Sequence, residues 1–225
     1  MGASIKITLF GATGGVGGQV MAQARTAGYD VTAVIRSTKS LPSGVRVIRT
    51  DLASAEPATL ESAVAGADAV VFAVGAGLRK DVGIAGQATR AIIEAMTATG
   101  VRRIVAISAA PVGTVAVPGR AKPPKHDPGD GFFMRTLLSP AIKGVASGLY
   151  ADLAVMEATL MDSRLDWTAI RPPQLTDGPM TGRYRTAYGR NLRRGLRVSR
   201  ADVAHLMLGV IDRPETYAKV IGIAY

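Results

Sequence analysis

The chain has 225 residues, 48% of them hydrophobic, and 27 lysines and arginines against 17 aspartates and glutamates, a formal charge of +10. That length suits a single α/β domain, and the hydrophobic share rules out disorder as the dominant state. With no cysteine and two histidines, His126 and His205, disulfide scaffolds, thiolate metal sites and thiol nucleophiles are excluded, no metal centre is expected, and redox chemistry needs a borrowed cofactor.

From the first residues on, short apolar runs alternate with helical patterns, the signature of βαβ units around a parallel sheet. Residues 5–10 read as the first strand. Val16, Val20, Met21 and Ala24 then mark one face of a helix that Gly28 closes. Residues 31–35 and 45–49 give two more strands, residues 59–65 a short helix, and residues 69–74 a continuously apolar strand, as a strand buried on both faces should be. A long helix over residues 82–99 turns Ala88, Ile92 and Ala95 inward and stops at Gly100 before a fifth strand over 103–108. Residues 111–147 break the rhythm with proline, glycine and lysine and are expected to form a loop or lid, with Phe132, Phe133 and Met134 either covering an acceptor or packing on the body of the chain. Leu149, Leu153, Met156 and Leu160 define the next helix, and residues 166–171 a sixth strand that buries Trp167. A small substrate-side region over 172–198 follows. Ser199 with Asp202 starts another helix, and residues 217–223 close as a late strand. The predicted architecture is a Rossmann-type, doubly wound α/β domain, with a mostly parallel sheet and helices on both faces.

No uncharged stretch makes a membrane span of roughly 20 apolar residues. Residues 7–24 carry five glycines, and residues 104–119 are broken by Pro111 and Pro118. No charged segment leads into an apolar core with a cleavage site, so a cytoplasmic location is expected.

The strongest chemical signal is Gly11-Ala12-Thr13-Gly14-Gly15-Val16-Gly17, placed after a strand and opening a helix. Glycines at 11, 14 and 17 allow a tight turn, close approach of a diphosphate and close helix packing, while the helix N-terminus offers free N–H groups and a positive dipole end. The residue ending the second strand selects the cofactor, since an acid there meets a ribose 2′-hydroxyl and an arginine a 2′-phosphate. Here it is Arg36, which points to NADP(H), with an ordinary solvated arginine at a strand end as its other reading. Asp51 either holds the adenine amino group, with Leu52 packing beside it, or caps a turn. Val74 and Gly75 fall where the backbone runs close to the adenosine ribose.

These motifs, together with Val34-Ile35-Arg36, Thr50-Asp51-Leu52, Ala73-Val74-Gly75, Ile107-Ser108-Ala109 and the run from Leu165 to Pro173, resemble the atypical short-chain dehydrogenase/reductases that bind NAD(P)H. The segment from Arg171 to Tyr184 is most similar to the flavin reductase/biliverdin-IXβ reductase subgroup. The resemblance implies cofactor contacts at Gly11, Thr13, Gly14, Val16, Gly17, Arg36, Asp51, Leu52, Val74, Gly75 and Ser108, and contacts to the nicotinamide end from Pro172 and Pro173.

Classical members of that superfamily pair a tyrosine with a lysine four residues on, the lysine lowering the phenol pKa. That pair is missing, because the residue four after Tyr150 is Ala154. The expected chemistry is hydride transfer to a flat conjugated acceptor such as a flavin, quinone or tetrapyrrole, whose delocalised product anion water can protonate. Ser108 is the candidate hydroxyl facing the nicotinamide, with a local backbone bond as its other role, and Tyr150 is a weaker candidate for proton donation or stacking beside a purely structural one. The alternative function is an NmrA-like sensor of NADP(H) that binds without turnover. Seven arginines between residues 183 and 200, with no acid among them, form either a solvated basic surface or an attraction for an anionic acceptor. With little aromatic interleaving and no reading helix, they are not expected to bind nucleic acid.

Overall fold

The computed structural model describes residues 4–75, 83–129 and 147–225. Phe132, Phe133 and Met134 belong to residues 130–146 of the expected lid, which lie outside the described residues. An eight-stranded sheet carries the fold. In chain order its strands are β1 (Lys6–Phe10), β2 (Asp30–Ile35), β3 (Arg46–Arg49), β4 (Ala69–Phe72), β5 (Arg103–Ile107), β6 (Asp166–Arg171), β8 (Arg185–Tyr188) and β10 (Lys219–Ala224). Their spatial order is β3-β2-β1-β4-β5-β6-β10-β8. All neighbours pair in parallel except β8, which lies antiparallel on β10. Two short strands, β7 (Gln174–Thr176) and β9 (Arg197–Ser199), pair in parallel beside the main sheet.

Five helices of the described residues cover both faces. On one, α1 (Gly15–Thr26) packs against α5 (Arg200–Gly209); on the other, α3 (Ile84–Thr99) lies between α2 (Pro57–Val64) and α4 (Ser147–Asp162). Two apolar cores result, one on each side of the sheet. The first gathers Leu9, Val20, Val71, Val105 and Met207, and the second Phe10, Phe72, Ile92, Met156 and Leu160. Alternation along each strand assigns the faces: Leu9 goes to one core and Phe10 to the other. Each such fully buried side chain contributes about 1.5–3 kcal/mol of transfer free energy.

The expected architecture is the one found, and the expected elements fall within a few residues of the observed ones. Strands β7, β8 and β9 are additions: each is only three or four residues long, and β8 is largely exposed, so no apolar period announces them. Ser199 caps α5 as predicted, its hydroxyl accepting the Asp202 N–H at 3.0 Å. Arg103 anchors the opposite end of the same helix. Its guanidinium donates to the carbonyls of Val210 at 2.7 Å and Ile211 at 2.9 Å and lies over the Tyr217 ring; burial pulls its pKa down to about 10, against the charges of Tyr217 and Asp166.

Candidate functional site

The strand order reverses direction between β1 and β4, and in doubly wound sheets ligands bind outside the carboxyl ends of the strands at that switch point. The glycine turn stands there. Gly11 has φ of +83°, and a Cβ on it would lie 2.6 Å from the Ala73 carbonyl oxygen. A Cβ on Gly17 would lie 2.0 Å from the Gly11 carbonyl oxygen, so these two positions admit only glycine. Gly14 is less restricted, with its nearest such contact at 3.3 Å. It is the N-cap of α1, which has no side-chain cap and no acid in its first turn. The first N–H groups of that helix therefore face outward without a built-in anion.

A cleft of about 270 Å³ opens at this edge. Gly11, Thr13 and Gly14 form its base, Arg36 and Ser37 close it after β2, Asp51 and Leu52 follow β3, and Val74 and Gly75 follow β4. Eight of the residues expected at the cofactor thus meet in one cavity. Val16 and Gly17 are buried in the first turn of α1 beneath it. The cavity suits an adenine dinucleotide phosphate on two counts. Any side chain at Gly11 or Gly17 would destroy the turn, and the Ser37 hydroxyl beside Arg36 is buried without a hydrogen-bond partner among the described residues. Asp51 lines the cleft, and its Oδ1 accepts the Ala53 N–H at 3.1 Å, which is the turn-capping role.

Ile84, Ala85 and Asp152 also line the cleft, and none of them was expected there. Asp152 on α4 accepts the N–H groups of Ala85 at 3.0 Å and Gly86 at 2.8 Å, capping α3 from a neighbouring helix while lining the cleft. Gly86 makes the approach possible, because a Cβ there would stand 2.8 Å from the Val155 side chain. Its only trace in the sequence is an aspartate next to the apolar face marked by Leu149 and Leu153.

Ser108, Tyr150, Pro172 and Pro173 are not part of the cleft lining. Ser108 and Pro172 follow β5 and β6 at the same edge of the sheet, held together by Ser108 N–H to Ile170 O at 2.7 Å and Ala110 N–H to Pro172 O at 2.9 Å. The Ser108 hydroxyl has a partner that neither sequence reading included: it donates to Oε1 of Glu157 at 2.5 Å. Arg171, ending β6, binds the same carboxylate through both oxygens. All three side chains are buried. Burial works to lower the Arg171 pKa, but the hydrogen bond and charge of Glu157, with Asp127 behind it, hold it above its ordinary value. Glu157 and Arg171 also floor a second, smaller cavity of about 170 Å³ under residues 112–123. Tyr150 is half-buried, which raises its pKa and keeps the phenol protonated. His126 is exposed in the loop.

Among the described residues no cluster of side chains could hold a metal ion, and no helix is long and apolar enough to cross a membrane. A protein-family model described as NAD(P)H-binding matches residues 11–214. Solved structures share the fold over nearly the whole chain. A short-chain dehydrogenase/reductase from Veillonella parvula in complex with NADP is 18% identical, with a TM-score of 0.79 and coverage of 99% of this chain and 95% of that one. An anaerobillin reductase from Escherichia coli O157:H7 is 24% identical, with a TM-score of 0.73 and coverage of 97% and 96%. A Burkholderia pseudomallei protein described as exported is 27% identical, with a TM-score of 0.73 and coverage of 98% and 100%.

Proposed function

Because the chain belongs to the NAD(P)H-binding family, we propose that it is an NADPH-dependent reductase that passes hydride to a flat, conjugated acceptor such as a flavin, quinone or tetrapyrrole. The observation that carries this reading is the single cleft uniting the glycine turn, Arg36 with the unpartnered Ser37 hydroxyl, and the ends of β3 and β4. When bound, the nicotinamide supplies the hydride.

The chain's own residues bind and orient. The N–H groups opening α1 hold the diphosphate, Arg36 and Ser37 the 2′-phosphate, and Asp51 and Leu52 the adenine. Ser108 fixes the end of β5 against Glu157 and Arg171, so that β5 and the Pro172-Pro173 corner form a rigid platform for the nicotinamide end. In this reading Ser108 is a positioning residue, and Tyr150, held neutral at the start of α4, flanks the acceptor. An acceptor whose product anion is delocalised suits a site without the Tyr-Lys pair. That one protein of this fold is an anaerobillin reductase makes tetrapyrroles the first acceptors to try. A cytoplasmic setting belongs to the same proposal.

The test follows NADPH oxidation at 340 nm with biliverdin, FMN, FAD and small quinones, beside NADPH binding by titration calorimetry. Turnover with at least one acceptor is expected. Binding of NADPH without turnover of any acceptor would replace the reductase with a dinucleotide sensor.

A further inference from the structure

One arginine of the 183–200 run lies against the glycine turn. Arg200 opens α5, and because α5 packs on α1 its side chain extends over the first residue of that helix. A Cβ built on Gly15 would stand 2.7 Å from both Cδ and Nε of Arg200 and 3.7 Å from its Cζ. No backbone atom is among these contacts, and Gly15 is absent from the glycines with positive φ. Neither the turn nor the backbone conformation requires glycine at 15, and a side chain there would have to push aside the end of the Arg200 side chain. The end of the Arg200 side chain thereby lies against Gly15, the first residue of the uncapped α1, although Arg200 does not itself line the cleft.

Its ionic partner is Asp177, with Nη1 2.5 Å from Oδ1. The Asp177 side chain is 91% exposed and that of Arg200 30%. Such a solvated pair is weakly held, and a more strongly charged anion at the helix terminus displaces the carboxylate.

We infer that Arg200 is a binding residue for the bridging diphosphate of the dinucleotide, brought to the glycine turn from the far end of the chain, with Asp177 as the counter-ion it leaves on binding. The inference rests on the cofactor site proposed above and adds a side-chain charge to a contact otherwise made by backbone alone. Arg36 reads the 2′-phosphate; Arg200 meets the part that NADPH and NADH share.

The test is calorimetric titration of the full chain with NADPH and with NADH. Arg200→Ala is expected to weaken both by the same factor, about ten- to thirty-fold. Gly15→Ala, whose methyl meets the end of the Arg200 side chain, is expected to weaken both similarly and to add little to Arg200→Ala in the double variant. Asp177→Asn, which removes the competing carboxylate, is expected to tighten both about two-fold. Should Arg200→Ala fail to fold, Arg200→Gln keeps the stem over Gly15 and gives the same readout. Unchanged affinity for both dinucleotides, or a loss confined to NADPH, would overturn the inference. A wild-type chain that binds neither would instead overturn the function on which it rests.

Discussion

Arg171 at the end of β6 clasps Glu157 of α4 in a buried bidentate pair, Nε 2.8 Å from Oε1 and Nη2 2.5 Å from Oε2, and the Ser108 hydroxyl completes the carboxylate's coordination. A buried pair of this kind holds its parts in register, and the cost of breaking it from one side exceeds its net contribution, because the remaining charge is left without a partner. Glu157→Gln is expected to destabilise the fold by about 3–5 kcal/mol, measured by urea unfolding. The double change Glu157→Met with Arg171→Met should recover most of that loss. Equal instability of single and double variants would mean that the pair itself, and not the orphaned charge, supports the fold.

Arg36 gives the cofactor preference a separable test. Arg36→Ala should weaken NADPH by roughly thirty-fold, the equivalent of about 2 kcal/mol for charge-assisted hydrogen bonds, and leave NADH nearly unchanged. Equal losses for the two dinucleotides would remove Arg36 from the 2′-phosphate.

The glycines of the turn are not equivalent. Gly17→Ala places a methyl 2.0 Å from the Gly11 carbonyl oxygen and should abolish dinucleotide binding, with a fall in melting temperature. Gly14→Ala meets its neighbour at 3.3 Å and should keep the fold and measurable affinity. Melting temperature and NADPH titration on the two variants decide the point, and equal damage from both would contradict it.

Asp202 supplies a pH dependence. Burial raises its pKa, but the Tyr225 hydroxyl, the Thr181 hydroxyl and the N–H groups of Thr181 and Gly182 outweigh burial and hold it below the ordinary 3.8. A depressed folded-state pKa means stability that is fully present above the unfolded-state value and lost as pH falls through the folded one. Wild-type chain should therefore lose stability from about pH 4 downward more steeply than Asp202→Asn. Thermal melts across that range check it; parallel curves would mean that Asp202 does not titrate with folding.

Much of this was legible in the sequence because it was local. A glycine turn between an apolar strand and a helix, and an arginine at the end of the second strand, can be read from consecutive residues, and Gly11, Arg36 and Asp51 do meet in one cleft. What was missed depends on long-range packing. Asp152 caps a helix that begins 68 residues earlier, at Ile84. Glu157 meets Ser108 across 49 residues and is indistinguishable in sequence from a solvated helix acid. Strands β7 and β9 form only because the segments flanking them meet, and neither has an apolar repeat to betray it.

Asp152 gives the cleft a built-in reporter. The amides of Ala85 and Gly86 are tied to a carboxylate that is also part of the cavity wall, so the opening of the first turn of α3 and the emptying of the cleft share a free energy. A ligand that settles against Asp152 should slow hydrogen exchange at those two amides, with no label or turnover needed to register its arrival.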